Sequence, residues 1–174
     1  MKSLTLTAAI LTAAVSLSAA DLKINEEFKG SKLGNAVPAG WMKNFEKDPN
    51  IGVTTVVKGK KEGEFAVQIK TEKKETPFYS GPFDASAGDT VKISAKVKGK
   101  GKIQLGYYAY GPGFLTAKFG TPFDVKEQEG EYESRIGIQE APKGKISSIR
   151  IVFQALANSD LTVSEVEAEL ISAK

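Results

Sequence analysis

Gln104, Tyr108 and Tyr110 recur at even positions of the run Lys102–Phe114, KIQLGYYAYGPGF. In an extended chain residues two apart share a face, so the run would set one amide and two amphipathic rings in a row. Tyr107 has the other parity, with Ile103, Leu105 and Ala109, and is expected in the core. A phenol ring presents an apolar face with a polar edge, which suits the C–H face of a pyranose. An amide offers both donors and an acceptor, which suits hydroxyl groups. Two more alternating runs add outward residues. Glu131–Gln139 sets Arg135 and Gln139 opposite Tyr132, Ser134, Ile136 and Ile138, and Ser148–Leu156 sets Arg150 and Gln154 opposite Ile149, Ile151, Phe153 and Ala155. Arg135 and Arg150 are the only arginines among 24 basic residues. An arginine in a lysine-rich chain suggests a need for planar, forked hydrogen bonding. If the three strands share a sheet, these residues and Phe114 would line a concave groove, with the segment Gly111–Pro122 as its lip. Tyrosine is also a good strand former, and arginine and glutamine are ordinary on outward strand positions. Alternation does not separate the two readings.

The elements that would carry these residues are short alternating runs divided by Gly, Pro, Asn, Asp and Lys, the pattern of an all-β sandwich or barrel. Val91, Ile93, Ala95 and Val97 alternate with Lys92, Ser94, Lys96 and Lys98. Gly99–Gly101 is read as a turn into the tyrosine run. Thr76–Phe83 contains Pro77 and Pro82, which predicts an edge or irregular strand. In Leu161–Ile171 the apolar parity switches between Val163 and Val166, which predicts a β-bulge near Ser164–Glu165. Beyond it Glu165, Glu167 and Glu169 form an acidic stripe, whose expected neighbour is the Lys92/Lys96/Lys98 strand. Trp41, the sole tryptophan, follows the tight turn Pro38-Ala39-Gly40 and is expected to plug one end of the core.

Composition narrows the chemistry. Residues 1–20, MKSLTLTAAILTAAVSLSAA, have a charged start, an apolar middle and small residues at the end, as a secretory signal peptide does. Residues 21–174 then form one expected domain, periplasmic or extracellular. Cysteine is absent, which removes disulfides and thiolate metal sites. Histidine is absent too, which removes the commonest general base and imidazole-bound zinc. The net charge is +3 and the lysines sit in turns, so nucleic acid is not an expected partner. No second apolar stretch could span a membrane, and no carboxylate pair is marked as an acid and base across a scissile bond.

Asn25-Glu26-Glu27-Phe28 followed by Pro38-Ala39-Gly40-Trp41 resembles the opening of carbohydrate-binding modules of families four, nine and twenty-two. Phe83–Thr90 running into Ser94–Gly99 is similar to the central segment of that group, and Val163-Ser164-Glu165-Val166 to its last strand. The resemblance implies a galactose-binding-like jelly roll of two antiparallel sheets and non-catalytic binding of a polysaccharide or oligosaccharide. It also implies a structural calcium, with Glu27 and Glu165 at the matching carboxylate positions. Lys29, Ser164 and Glu26 depart from the pattern around that calcium.

The first expectation is therefore a secreted, non-catalytic module that binds polysaccharide through Gln104, Tyr108, Tyr110, Phe114, Arg135, Gln139, Arg150 and Gln154. The alternative is a structural or protein-binding sandwich of the envelope with no sugar site, meeting an unknown protein partner through Phe114, Leu115, Val152 and Leu156. A carboxylate-based glycosidase or lyase is the third reading.

Overall fold

The computed structural model describes residues 24–26, 28–43 and 48–173. The predicted signal peptide and Glu27 lie outside the described residues. The described residues form twelve strands: β1 (Ile24–Glu26), β2 (Met42–Lys43), β3 (Val53–Lys58), β4 (Phe65–Thr71), β5 (Thr76–Tyr79), β6 (Phe83–Asp84), β7 (Thr90–Tyr110), β8 (Phe114–Phe119), β9 (Phe123–Val125), β10 (Gly130–Gly137), β11 (Ser148–Ala155) and β12 (Ser159–Ile171). Every strand pairing is antiparallel. The fold is all-β, a β-sandwich of the jelly-roll kind.

One strand organises both sheets. The first half of β7 lies between β10 and β12, and β12 continues to β4 and β3, with β1 also on β12. The second half of β7 lies between β11 and the pair β8 and β9, and β11 continues to β5 and β2, with β6 also on β11. Gly99–Gly101 is thus not a turn between two strands, as the sequence suggested, but the bend at which one strand leaves the first sheet for the second. Gly99 has φ +130° and Gly101 φ +125°, a region that side chains rarely adopt. A Cβ on Gly99 would meet the Asp160 carbonyl oxygen at 2.1 Å, so β12 crosses directly against the bend.

Parity then fills the interior. Val91, Ile93, Ala95 and Val97 of β7 face Ile103, Leu105, Tyr107 and Ala109 of the same strand's second half, and all are buried. Ile149, Ile151, Phe153 and Ala155 of β11 and Leu161, Val163, Val166 and Ala168 of β12 complete the core. Tyr107 is fully buried, and its hydroxyl donates to the Gly137 carbonyl at 3.2 Å, so no polar atom is stranded. Trp41 is buried against Phe28, Phe78 and Phe153, the plug its turn predicted. The expected bulge lies between Ser164 and Glu167, with Glu165 at φ +46°. The acidic stripe does neighbour the lysines: Glu169 stands opposite Lys92, and Glu165 ion-pairs with Lys96.

Between β2 and β3, Asp48 ties the chain to β4's far end. Its carboxylate pairs with Lys74 and accepts from the Asn50 backbone and side-chain nitrogens, both at 2.9 Å. The lysine first, then the Asn50 donors, lower its pKa to about 2. A depressed carboxylate stabilises the fold above its unfolded pKa, and that contribution is lost as pH falls through the folded value. Acidification from about pH 5 to about pH 2 should lower the urea midpoint, and Asp48→Asn should flatten that part of the profile. An unchanged profile in the variant would rule out Asp48 as its source.

Candidate ligand face on the second sheet

The outer surface of the second sheet is built by five strands in register. Tyr108 of β7 stands opposite Arg150 of β11, and Gln104 opposite Gln154. Across β7's other edge, Tyr108 faces Ala117 and Tyr110 faces Phe114 of β8. On β11's other edge, Val152 faces Tyr79 of β5, which in turn faces Met42 of β2. Pairing therefore gathers residues from five separate stretches of sequence onto one surface.

Tyr108 is the hub of the rings. Its centroid lies 5.5 Å from Tyr79, 6.0 Å from Phe114 and 6.2 Å from Phe119, each edge to face. Tyr110 packs on Phe114 at 5.8 Å, also edge to face. Such geometry places the positive edge of one ring on the negative face of the next. Phe114 is 58% exposed, the most exposed ring of the set and a ready stacking surface. The Tyr108 hydroxyl is pushed up to about 12, by burial first and then by Tyr79 and Tyr110. Burial raises Tyr79 as well, with Tyr110 adding to the shift and Arg150 opposing it. Tyr79 and Tyr108 therefore present neutral, hydrogen-bonding edges at ordinary pH. The Tyr79 hydroxyl donates to the Lys43 carbonyl at 3.4 Å.

Arg150 is half-buried among these rings. Its guanidinium carbon lies 5.2 Å from the centroid of Tyr110 and 5.8 Å from that of Tyr79. Nη1 donates to the Met42 sulfur at 3.1 Å. Gln104 is fixed by its side-chain amide donating to the Gly120 carbonyl at 3.2 Å. Gly106 explains how Phe119 lies so close to the sheet: a Cβ there would meet the Lys118 carbonyl oxygen at 2.3 Å and the Phe119 ring at 2.5 Å. Gly106→Ala should displace β8 and cost about 1–3 kcal/mol, read as a lower urea midpoint. An unaltered midpoint would mean that the β8 backbone and the ring can shift away freely.

The structure divides the sequence-predicted set. Gln104, Tyr108, Tyr110, Phe114, Arg150 and Gln154 come together. Arg135 and Gln139 do not. Arg135 belongs to β10, opposite Lys92 on the first sheet, and donates to Glu133 at 3.0 Å. Glu133 also pairs with Lys92 at 3.2 Å, and Arg135 first, then Lys92, lowers its pKa. Gln139 follows β10, beside the Gly88–Asp89 segment through the Ile138 backbone bonds. The expected shared groove of Tyr108 and Arg135 is thus corrected: β10 pairs with the half of β7 that lies before the bend. The Gly111–Pro122 segment, expected as the lip of the groove, contains a strand, since β8 forms within it. Tyr79, Phe119 and Met42 are members that the sequence reading missed. The outward parity of Tyr79 beside inward Phe78 was visible, whereas Phe119 and Met42 needed the pairing.

The apolar patch of the alternative reading does not form as expected. Val152 is fully buried on this face, Leu115 is packed against the core, and Leu156 is half-buried. Of the two carboxylates in the calcium expectation, Glu27 lies outside the described residues. Glu165 is engaged by Lys96, and among the described residues no group of three or more Asp and Glu could hold a metal ion. A depression of about 660 Å³ lined by residues such as Asn50, Lys70, Lys100 and Asp160 contains none of the predicted residues.

A sandwich with ring-bearing outer strands is the class that the fold and this face define. No protein-family model matches the chain, and no curated protein sequence matches it. Solved structures match its fold. The arabinose-bound α-L-arabinofuranosidase MgGH51 matches with a TM-score of 0.60 and 10% identity over 85% of this chain and 26% of its own. The chain thus spans about a quarter of that enzyme's length. The cyclase Fisc from Fischerella sp. TAU matches with a TM-score of 0.61 and 11% identity over 88% of this chain and 100% of its own. The CBM22-1 xylan-binding domain from Paenibacillus barcinonensis Xyn10C matches with a TM-score of 0.52 and 13% identity over 84% of this chain and 99% of its own. At such identities the likeness establishes the fold, which hosts several functions.

Proposed function

We propose that the protein is a non-catalytic carbohydrate-binding module that holds a polysaccharide on the outer face of its second sheet. The observation that carries this reading is the convergence of Tyr108, Tyr110 and exposed Phe114 with Gln104, Gln154 and Arg150. Sugar rings would stack on Phe114 and Tyr110, with Tyr108 supporting both from below. The amides and the guanidinium would meet the hydroxyl-bearing edges. The xylan-binding domain among its structural neighbours lends support by fold alone. The face offers rings, amides and one cation rather than a carboxylate pair, so the reading is of binding without turnover. The protein would act in the periplasm or outside the cell, once residues 1–20 are removed.

The test is affinity electrophoresis of the protein through gels containing neutral and acidic polysaccharides. Retardation on at least one glycan is expected, and the double variant Tyr108→Ala, Tyr110→Ala should migrate freely. Free migration of the unaltered protein in every gel would refute a sugar site. So would retardation that the double variant retains.

A further inference from the structure

We infer that the glycan held on this face carries carboxylates, as uronic-acid residues do, and that Arg150 reads them. The inference rests on the sugar-binding reading of the face and adds the class of polymer. Three observations converge on it.

Arg150 forms no ion pair with any described carboxylate, whereas the chain's other arginine is paired with Glu133. Among the described residues it donates to the Met42 sulfur, a weak acceptor. A guanidinium has five N–H donors, so most of its donor capacity is left for water or a ligand. Asp84, opposite Ser148 and two residues along β11 from Arg150, is exposed and forms no ion pair with it.

The cation is also held in place. Tyr79 and Tyr110 flank the guanidinium at 5.8 and 5.2 Å, and Met42 fixes one nitrogen. A ring-flanked guanidinium loses little freedom on binding, and its planar fork matches a carboxylate bidentately, which an ammonium cannot do. Finally, it adjoins the stacking surface. Tyr110 packs both on Arg150 and on exposed Phe114, so a pyranose resting on Phe114 and Tyr110 would bring its substituents beside the guanidinium.

The experiment compares uronate polymers (glucuronoxylan, polygalacturonate and alginate) with the same polymers after chemical reduction of their carboxyl groups, on the unaltered protein. At least one native polymer should bind roughly 10- to 100-fold more tightly than its reduced form, the range of a hydrogen bond between charged groups. That preference should shrink with added salt. It should vanish in Arg150→Gln and survive only in part in Arg150→Lys, which keeps the charge and loses the fork. Dextran sulfate, charged but without carboxylates, should compete poorly.

Equal binding of native and reduced polymers would overturn the inference and leave the sugar-binding reading standing. So would a preference that Arg150→Gln retains, or dextran sulfate competing as well as the uronate polymer. If no polymer binds in either form, the inference falls, and the sugar-binding reading is decided separately by the gels of neutral polysaccharides. Because the first comparison uses the unaltered protein, misfolding of a variant cannot decide it.

Discussion

Trp41→Ala should destabilise the protein by about 3–5 kcal/mol, the usual cost of emptying a large aromatic site in a core. Trp41 is 8% exposed and touches three rings: Phe28 at 5.5 Å, Phe78 at 5.2 Å and Phe153 at 5.8 Å. Phe28 is held at φ +52°, and Phe153 lies mid-strand in β11, so neither can easily move in to fill the space. The cavity should therefore stay largely open, and its walls lose their contacts outright. Because Trp41 is the sole tryptophan, unfolding of the variant must be followed by circular dichroism rather than indole fluorescence. A urea midpoint within error of the unaltered protein, combined with lost glycan binding, would show Trp41 to be a platform and not a plug.

Tyr108→Ala should weaken glycan binding by roughly 30-fold or more, the signature of a central aromatic anchor whose loss costs about 2 kcal/mol or more. Three rings rest edge to face on Tyr108, and Phe114, the exposed stacking surface, is one of them. Removing the hub would let Phe114 and Phe119 relax, so the variant would lose the shape of the face as well as one ring. Tyr108→Phe keeps the ring and should bind nearly as well. Binding equally weakened in both would assign the effect to the hydroxyl instead. The same burial has a stability consequence. With Tyr108 held at about 12 in the fold, the unfolded chain ionises first as pH rises above about 10, so stability should decline between about pH 10 and 12. Alkaline urea titrations of Tyr108→Phe should show a shallower decline.

Within each strand, the sequence was a sound guide. The alternation of β7, β10, β11 and β12 assigned Tyr107 to the core and Tyr108 to the outer face, because side chains in an extended chain must point to opposite sides. The parity switch between Val163 and Val166 located the bulge, since an extra residue is the only way to keep both on one face. The facing charge stripes identified the β7–β12 pairing. The resemblance to carbohydrate-binding modules pointed to the same jelly-roll sandwich.

Parity cannot say which strand lies beside which, and there the reading of the site failed in part. Arg135 and Arg150 sit on equally regular alternating runs, yet one stands opposite Lys92 and the other opposite Tyr108. The difference lies in β7 itself. Its bend at Gly99 and Gly101 delivers the first half of the strand to one sheet and the second half to the other, so two neighbours of one strand end up on opposite surfaces of the molecule. The tyrosine row that the sequence displays from Lys102 to Phe114 therefore keeps Arg150 and Gln154 as neighbours. It gives up Arg135 and Gln139, and gains Tyr79, Phe119 and Met42 through hydrogen-bonded pairings that local sequence does not encode. Residue chemistry and face were local properties of the chain. Which faces were joined was decided by long-range pairing, through a left-handed backbone at two glycines.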